Sequence, residues 1–245
     1  MLLHGWIASA DLNWHTAYDD LRDAGYRVLA IDHRGHGRGL RQLGPFRLAD
    51  CAADAAGAMR TLGVAPALVV GYSMGGSIAQ LVVRDHLDVV AGLVLSGTVQ
   101  YWKELSTRRY RLAMGALGLA LSLSPSRTWR WGLRRVGLPE SEETAWLRSE
   151  LTRHSARDIA EAGRELGRFD SRPWLRPLSV PTAVVVTTRD EAVPPEMQRE
   201  LAAALDAQVF EAPIRHLEVA SAPERYNQAL LDALSSVSTR EPAPT

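Results

Sequence analysis

The residues Val69-Val70-Gly71-Tyr72-Ser73-Met74-Gly75-Gly76 decide the fold of this chain. They read Gly-x-Ser-x-Gly, with an apolar run before them and a helical pattern over residues 77–83 after them. This pattern is typical of a sharp strand-to-helix turn, a nucleophile elbow, that leaves a serine hydroxyl at the top of a sheet. Gly71 and Gly75 let strand and helix approach without a Cβ clash, while the turn forces strained torsions on Ser73. A serine in an ordinary strand-to-helix loop could have the same sequence. The interpretation as a nucleophile therefore depends on whether the rest of the chain supplies its catalytic partners.

The bulk properties indicate a globular protein of one large α/β domain, or of a core with an inserted subdomain, in 245 residues. A formal net charge of zero argues against a nucleic-acid partner. The single cysteine, Cys51, excludes an intrachain disulfide, fits a reducing compartment and is expected to be a small buried residue. The beginning of the chain does not read as a signal peptide, and the longest apolar stretch, residues 112–123, is shorter than the roughly 20 residues of a membrane span. We therefore expect a cytoplasmic location.

Strand and helix patterns alternate over residues 1–100 and again over 177–245, which predicts a doubly wound, mostly parallel sheet with helices on both faces. The predicted strands are a short piece ending at Leu3 and residues 26–31, 67–70, 90–96, 181–188 and 207–212. The predicted helices are residues 13–24, 47–62, 77–86, 195–205 and 223–237.

Residues 101–176 interrupt this alternation with a helical pattern that contains no clear strand. They hold five of the seven tryptophans and many arginines, and we predict that they form a helical cap inserted into the core. Residues 112–123 are apolar almost all round, which fits a helix buried over a pocket. The same helix, flanked by arginine and tryptophan, would also fit weak contact with an anionic lipid interface. Both interpretations favour a hydrophobic substrate.

A serine nucleophile needs a base within hydrogen-bond reach and a third group that orients the base. Asp190 and His216 both follow late strands, and the carboxyl ends of parallel strands meet at one edge of the sheet. The order Ser73, Asp190, His216 is that of an α/β-hydrolase triad. Asp190 could instead be a turn aspartate. The main alternative position for the acid, after the strand that ends at Ser96, has no acidic residue. Among the other histidines, we expect surface or packing positions for His15, His86 and His154, and hydrogen bonds within their own loop for His33 and His36.

The tetrahedral intermediate of acyl transfer needs backbone donors that form an oxyanion hole. The N–H of Met74, at the start of the helix after Ser73, is one candidate. The second should come from the loop after the first strand, where His4 and Gly5 support the turn and the Trp6 N–H is the natural donor.

These residues together resemble the α/β-hydrolase superfamily, of the capped serine esterase/lipase type. The matching stretches are Leu3-His4-Gly5-Trp6, Asp32-His33-Arg34-Gly35-His36-Gly37, Gly71-Tyr72-Ser73-Met74-Gly75-Gly76, Asp190 and His216. The resemblance implies a helical cap over the site and acyl groups of medium to long or hydrophobic character. Members of the family usually carry two further strands before the His-Gly loop, so we expect that the natural start lies upstream and that residues 26–31 form a sheet edge.

The sequence therefore predicts a serine hydrolase that cleaves carboxylic esters of hydrophobic acyl groups, with no metal or organic cofactor. Hydrolysis of a C–C bond next to a carbonyl, cofactor-free perhydrolysis, and an inactive ligand-binding relative remain open alternatives, because function resides in the pocket and not in the fold.

Overall fold

The computed structural model describes residues 1–102, 107–138 and 140–238. Its six strands form one parallel sheet in the order β2-β1-β3-β4-β5-β6. The strands are β1 (Leu2–Leu3), β2 (Ala30–Ile31), β3 (Ala67–Tyr72), β4 (Val90–Ser96), β5 (Thr182–Thr187) and β6 (Gln208–Ala212). The order changes direction at β1, because β2 lies on one side of it and the later strands on the other. As expected, β2 is an edge of the sheet.

Helices cover both faces of the sheet, which confirms the doubly wound architecture. One buried cluster joins α3 (Leu48–Thr61), α4 (Met74–Asp85) and α9 (Pro195–Leu205) to the sheet. A second cluster, on the other face, joins α1 (Ala10–Trp14), α2 (Tyr18–Asp23) and α10 (Pro223–Val237). Cys51 is fully buried in the first cluster, as the sequence predicts.

The first helix differs from the prediction, because two short helices joined by a 3-10 turn replace one helix over residues 13–24. Ser9 starts α1 early, since its side chain accepts a 3.2 Å hydrogen bond from the Leu12 N–H. The Ala10 N–H donates to Asp32 across 2.7 Å, which ties the same helix start to the loop after β2. The strand predicted over residues 26–31 shortens to Ala30–Ile31, because β1 offers it only two residues to pair with.

Among the described residues, four helices lie between β4 and β5: α5 (Arg108–Leu123), α6 (Pro125–Arg135), α7 (Glu142–Leu151) and α8 (Ala156–Leu166). We call them, with their connections, the insertion. Its two ends meet at an antiparallel bridge between Tyr101 and Asp170, and the Ser171 N–H donates to the Gln100 carbonyl oxygen across 2.8 Å. The two ends of the insertion therefore lie side by side where the chain leaves the sheet and returns to it.

The apolar helix α5 is less buried than a helix packed over a pocket would be. Only Met114 and Leu121 of α5 are buried, whereas Leu112, Leu119 and Leu123 are exposed. Gly118 of α5 lies against α8, where a Cβ on this glycine would come within 2.9 Å of the Ala160 Cβ. This helix therefore packs on the insertion itself and leaves an apolar face outside. Within the described ranges, no helix is both long and apolar enough to span a bilayer.

Candidate active site

Ser73 lies at the turn between β3 and α4 with φ 54° and ψ −117°, a left-handed conformation that a residue with a Cβ rarely adopts. Gly71 and Gly75 allow this turn, because a Cβ on Gly71 would lie 2.3 Å from the Gly75 carbonyl oxygen. A Cβ on Gly75 would lie 2.1 Å from the carbonyl oxygen of Leu3 in the neighbouring strand. Strand, turn and helix are thus packed too closely for any other residue at these two positions. The helix begins at Met74, three residues before its predicted start, because Ser73 is its N-cap.

The structure brings together the three residues that the sequence predicts as a catalytic triad. The Ser73 hydroxyl lies 2.9 Å from Nε2 of His216, and Nδ1 of His216 lies 2.7 Å from Oδ2 of Asp190. Since a carboxylate can only accept, Nδ1 carries the proton and Nε2 is free to accept from the serine hydroxyl. The Asp190 side chain is completely buried and that of His216 is mostly buried, so this chain of hydrogen bonds lies in a weakly solvated environment.

Asp190 is held from both of its carboxylate oxygens. Its Oδ1 accepts from the N–H groups of Ala192 and Val193 across 2.9 and 2.8 Å, so it also organises the turn after β5. Its Oδ2 accepts from the hydroxyl of Thr187 across 2.8 Å. The interpretation as a turn aspartate and the interpretation as a partner of His216 therefore describe the same carboxylate.

Thr187 and Gln198 form a buried support for Asp190 that sequence reasoning missed. The Gln198 side-chain NH₂ donates to Thr187 Oγ1 across 2.8 Å and to the Val193 carbonyl oxygen across 2.7 Å. Because the Asp190 carboxylate can only accept, the Thr187 hydroxyl is the donor in the bond between them. The signal was weak: a threonine ends the strand three residues before the aspartate, and a glutamine is placed in the next helix.

Tyr72 is a further support that the sequence did not reveal, although it lies next to Ser73 in the chain. Its hydroxyl donates to the His216 backbone carbonyl oxygen across 2.7 Å. Its ring lies 5.4 Å from the imidazole ring, measured between centroids. His216 is thus held by its backbone and by ring packing, as well as by Asp190.

The loop over Gly5, Trp6 and Ile7 approaches the serine closely, and we call it the oxyanion loop because the sequence predicts an oxyanion donor, the Trp6 N–H, within it. A Cβ on Gly5 would lie 3.3 Å from the Ser73 Cβ. The Gly5 N–H donates to the buried side chain of Asn13 across 2.8 Å, a contact that no local sequence pattern indicated. In the part of the chain that the structure describes, neither the Trp6 N–H nor the Met74 N–H donates to a protein acceptor. Both amides are therefore available to an oxygen atom bound near Ser73.

His4 fixes the start of the oxyanion loop as a neutral imidazole. Its Nε2 accepts from the His33 N–H across 3.0 Å, so its proton is on Nδ1, which donates to the Gly5 carbonyl oxygen across 2.8 Å. Burial, with His33 nearby, holds the pKa of His4 well below its usual value. His4 therefore acts as a buried strut between two loops and not as a base.

His154 is a packing residue of the insertion, one of the two positions predicted for it, with its ring against those of His36 and Trp129. It also bridges two loops of the core, which the sequence did not predict. Its Nδ1 accepts from the Gly37 N–H across 2.8 Å, and its Nε2 lies 3.1 Å from the Ile7 carbonyl oxygen. Burial lowers its pKa to about 4. No pattern around position 154 signals this role, because its partner Ile7 lies 147 residues away in the sequence.

Four histidine rings form one cluster behind the oxyanion loop: His4, His33 and His36, which are buried, and His154, which is half-buried. Burial lowers the pKa of His33 to about 3 and holds that of His36 well below its usual value. His36 donates from Nδ1 to the Arg34 carbonyl oxygen, a contact within its own loop as predicted, whereas the His33 ring has no hydrogen-bond partner among the described residues. Nor do the described histidines, cysteines and acidic residues form a group that could hold a metal ion.

A cavity of about 750 Å³ opens over Ser73 and His216. Its wall combines residues of the core and of the insertion and is mostly apolar. From the insertion come Trp129, Leu133, Leu147 and Leu151, among others, and from the core Trp6, Leu12, Val193 and Met197. Val136 and Leu138 line the cavity and are themselves exposed, which places an opening beside the end of α6.

This fold and this site define a class of protein, and comparison with known families agrees. The family model described as the alpha/beta hydrolase fold matches residues 1–217. The chain belongs to the α/β-hydrolase family, which confirms the resemblance inferred from the sequence.

Individual relatives cover several chemistries. The chain is similar to a non-heme haloperoxidase of Rhodococcus erythropolis, with 30% identity over 84% of this chain and 79% of that protein. A shorter match, 38% identical over 39% of this chain and 35% of the relative, is to a bifunctional esterase/perhydrolase of Acinetobacter calcoaceticus. Among solved structures, a thermophilic esterase of Thermogutta terrifontis is 26% identical with a TM-score of 0.79, covering 97% of this chain and 89% of that one.

Proposed function

We propose that this chain hydrolyses carboxylic esters of hydrophobic acyl groups through an acyl-enzyme on Ser73. The observation that carries the proposal is the hydrogen-bonded series Ser73–His216–Asp190 at the base of a large apolar cavity. An apolar wall gains free energy from each methylene group that it removes from water, about 0.8 kcal/mol per buried CH₂. A long acyl chain is therefore the substrate that this cavity would favour.

The mechanism follows from the positions of the protons. His216 Nε2 takes the proton of the Ser73 hydroxyl as its oxygen attacks the ester carbonyl, and Asp190 stabilises the resulting imidazolium. The Trp6 and Met74 N–H groups would hold the oxyanion. His216 then protonates the leaving alcohol, and water, activated by the same base, releases the acyl group from Ser73.

The test is a panel of p-nitrophenyl esters of increasing acyl length, from acetate to dodecanoate. We expect kcat/KM to rise with chain length until the cavity is filled, and we expect Ser73→Ala to lose activity on every ester. A flat response, or activity on acetate alone, would contradict a hydrophobic acyl site. If the folded wild-type protein hydrolyses no ester of the panel, the alternative of an inactive ligand-binding relative gains support.

Perhydrolysis is a second candidate, because the relative from Acinetobacter calcoaceticus is described as both an esterase and a perhydrolase. In that reaction hydrogen peroxide replaces water as the acceptor of the acyl group, so that a carboxylic acid and peroxide give a peracid and water. Peracid formation from acetate and peroxide, dependent on Ser73, would support it. Hydrolysis of C–C bonds next to a carbonyl uses the same residues and can be assayed on the same variants.

We also propose that the insertion makes weak contact with an anionic lipid interface. Leu112, Leu119 and Leu123 of α5 are exposed and, at spacings of seven and four residues, lie on one face of the helix. Between Thr107 and Leu138 the sequence has seven arginines and no acidic residue. All seven are exposed: Arg108, Arg109, Arg111, Arg127, Arg130, Arg134 and Arg135. Exposed leucines beside arginines suit an anionic bilayer surface, whereas a second copy of the chain would bring like charges together.

The geometry of α6 relates this surface to the substrate. Trp129 and Leu133 of α6 line the cavity, while Trp131 on the same helix is 64% exposed, with Arg135 over its ring. Contact of α6 with a bilayer would thus place the cavity next to a source of hydrophobic esters.

Flotation with vesicles tests the lipid proposal. We expect binding to phosphatidylcholine vesicles that contain phosphatidylglycerol, weaker binding at high salt, and none to phosphatidylcholine alone. Leu119→Gln should weaken binding, whereas Leu62→Gln, at a leucine of α3's C-cap with nearly equal exposure (60% against 61%), should not. The proposal would be contradicted if Leu119→Gln and Leu62→Gln bound the vesicles equally well. It would also be contradicted if binding did not depend on the charge of the lipid.

Finally, we propose a cytoplasmic location, because the one cysteine of the sequence, Cys51, is a buried free thiol, as is common in reducing compartments.

A further inference from the structure

We propose that His154 is a positioning residue for the oxyanion hole, so that the insertion helps to build the site that it covers. This inference rests on the proposed function, because it assigns the Trp6 N–H to the oxyanion. It concerns Ile7, the residue that follows Trp6, and the His154 side chain, which contacts the Ile7 carbonyl oxygen.

Ile7 has a φ of 65°, in the left-handed region. For a β-branched residue this conformation is a genuine outlier, since its Cβ substituents crowd the backbone there. Such a conformation persists only where the surrounding structure holds it, and it is found most often at functional sites. The oxyanion loop therefore needs contacts from outside itself in order to keep its shape.

His154 supplies such a contact, and its chemistry is fixed. The Gly37 N–H can only donate, so Nδ1 of His154 accepts and carries no proton. The proton is then on Nε2, which donates to the Ile7 carbonyl oxygen across 3.1 Å. One neutral imidazole thus bridges the loop after β2 and the oxyanion loop. The Ser155 N–H donates to the Gly35 carbonyl oxygen across 2.8 Å, which fixes the backbone next to His154 on the same loop.

The insertion also contacts the side chain of Trp6. The Trp6 indole N–H donates to the carbonyl oxygen of Ile159 in α8 across 2.9 Å. Gly163 of α8 lies so close that a Cβ there would come within 2.9 Å of the Trp6 ring. Trp6 through its side chain and Ile7 through its carbonyl are therefore both attached to the segment from His154 to α8.

The expected effect of losing the His154 contact follows from where the oxyanion loop acts. Most of the cavity wall lies outside the oxyanion loop and would be unchanged, so most of the ground-state binding of the acyl chain should persist. A displaced Trp6 N–H would instead stabilise the developing oxyanion less well, and misplacement of about 1 Å can cost up to about a hundredfold in rate. Loss of an interaction made only in the transition state lowers kcat and leaves KM unchanged.

The experiment compares three variants on one ester that the wild-type enzyme hydrolyses. His154→Leu removes both hydrogen bonds, whereas His154→Gln keeps an N–H donor at about the reach of Nε2. Glu161→Leu is the matched control, because Glu161 also ties the insertion to the core, by accepting from the Phe46 N–H across 2.7 Å, and this contact does not involve the oxyanion loop. Melting temperature, kcat, KM and the affinity for an alkyl trifluoromethyl ketone, which forms a tetrahedral adduct, are measured for each.

We expect His154→Leu to lower kcat about tenfold and to change KM by less than twofold. The affinity for the ketone should fall by the same factor as kcat/KM. His154→Gln should recover most of kcat, and Glu161→Leu should lower the melting temperature while keeping the wild-type kcat. The inference is overturned if His154→Leu matches Glu161→Leu in kcat, if only KM changes, or if His154→Gln is no better than His154→Leu. Absence of esterase activity in the wild type would instead contradict the proposed function, and this inference with it.

Discussion

Thr187 donates its hydroxyl proton to Oδ2 of Asp190 across 2.8 Å, and the same oxygen accepts from Nδ1 of His216 across 2.7 Å. One carboxylate oxygen thus connects the buried pair Thr187 and Gln198 to His216. Thr187 Oγ1 also accepts from the Gln198 side-chain NH₂ across 2.8 Å, so the same hydroxyl connects Asp190 to a buried amide.

Replacement of Thr187 by Val should therefore reduce both stability and rate. The variant leaves Asp190 with one fewer donor and removes an acceptor from Gln198, at a cost of about 1–3 kcal/mol in the free energy of unfolding. If about 1.5 kcal/mol of that loss is felt when the His216 imidazolium forms, kcat falls about tenfold. Urea unfolding and steady-state kinetics measure the two effects. Thr182→Val, in the same strand but hydrogen-bonded only to the Val180 carbonyl oxygen, should keep the wild-type kcat; a loss of equal size there would refute the link to Asp190.

Gly75→Ala should prevent the strand-to-helix turn from forming. The added Cβ would lie 2.1 Å from the carbonyl oxygen of Leu3, a backbone atom that cannot move aside without disturbing β1. We expect a loss of about 3 kcal/mol or more in the free energy of unfolding. Gly57→Ala is the control, because no atom lies within 4 Å of the added Cβ and position 57 is inside α3. This control should stabilise the protein by up to about 1 kcal/mol, and a tolerated Gly75→Ala would show that the turn is less tightly packed than described.

The four clustered histidines should make the protein acid-sensitive well above the range in which carboxylates titrate. The folded-state pKa is about 3 for His33 and about 4 for His154, against an unfolded value near 6.5. Since these folded-state pKa values are depressed, the unfolded chain binds more protons, and stability is fully present above about pH 6.5. It is lost as the pH falls towards 4 and below, by up to about 1.4 kcal/mol per pH unit for each such histidine.

Urea unfolding at several pH values between 7 and 4.5 measures this loss. His33→Phe is the informative variant, because the His33 ring is buried without a described hydrogen-bond partner. It should flatten the pH dependence by about one proton while leaving the protein folded at pH 7. An unchanged slope would mean that His33 does not remain neutral in the folded state.

The insertion should set the length of the acyl chain that the cavity accepts. Leu133 of α6 lines the cavity, so Leu133→Trp should fill part of its volume and lower kcat/KM for long esters more than for short ones. Leu112→Trp places the same side chain on the exposed face of α5, away from the cavity lining, and should leave the ratio unchanged. Kinetics on butyrate and dodecanoate esters measure the ratio. A parallel fall on both esters in Leu133→Trp would indicate general damage instead of a change in specificity.

The parts of this protein that the sequence predicted are those written in local patterns or in chain order. Gly71, Ser73 and Gly75 carry the elbow within five residues, and the parallel sheet follows from alternating strand and helix patterns. Asp190 and His216 were found because strand ends converge at one edge of a parallel sheet. These inferences needed no knowledge of how distant segments pack.

The parts that were missed depend on contacts between distant segments. His154 meets Ile7 across 147 residues, and Asn13 meets Gly5 through a side chain that looked like the start of a helix. For residues 112–123 the sequence left two interpretations open, and the exposure of Leu119 was not decided, because an apolar sequence does not say which of its faces finds a partner. Periodicity shows that a face exists, but only packing decides what covers it.

The central claim is that Ser73 is a nucleophile activated by His216, and covalent labelling tests it most directly. A fluorophosphonate probe is incubated with wild type, Ser73→Ala and His216→Ala, each first shown to be folded, and the labelled peptide is identified by mass spectrometry. The account predicts one label per chain on Ser73 in the wild type, none on Ser73→Ala, and strongly reduced labelling of His216→Ala. A folded wild-type protein that does not label, or that labels at a different serine, would contradict it.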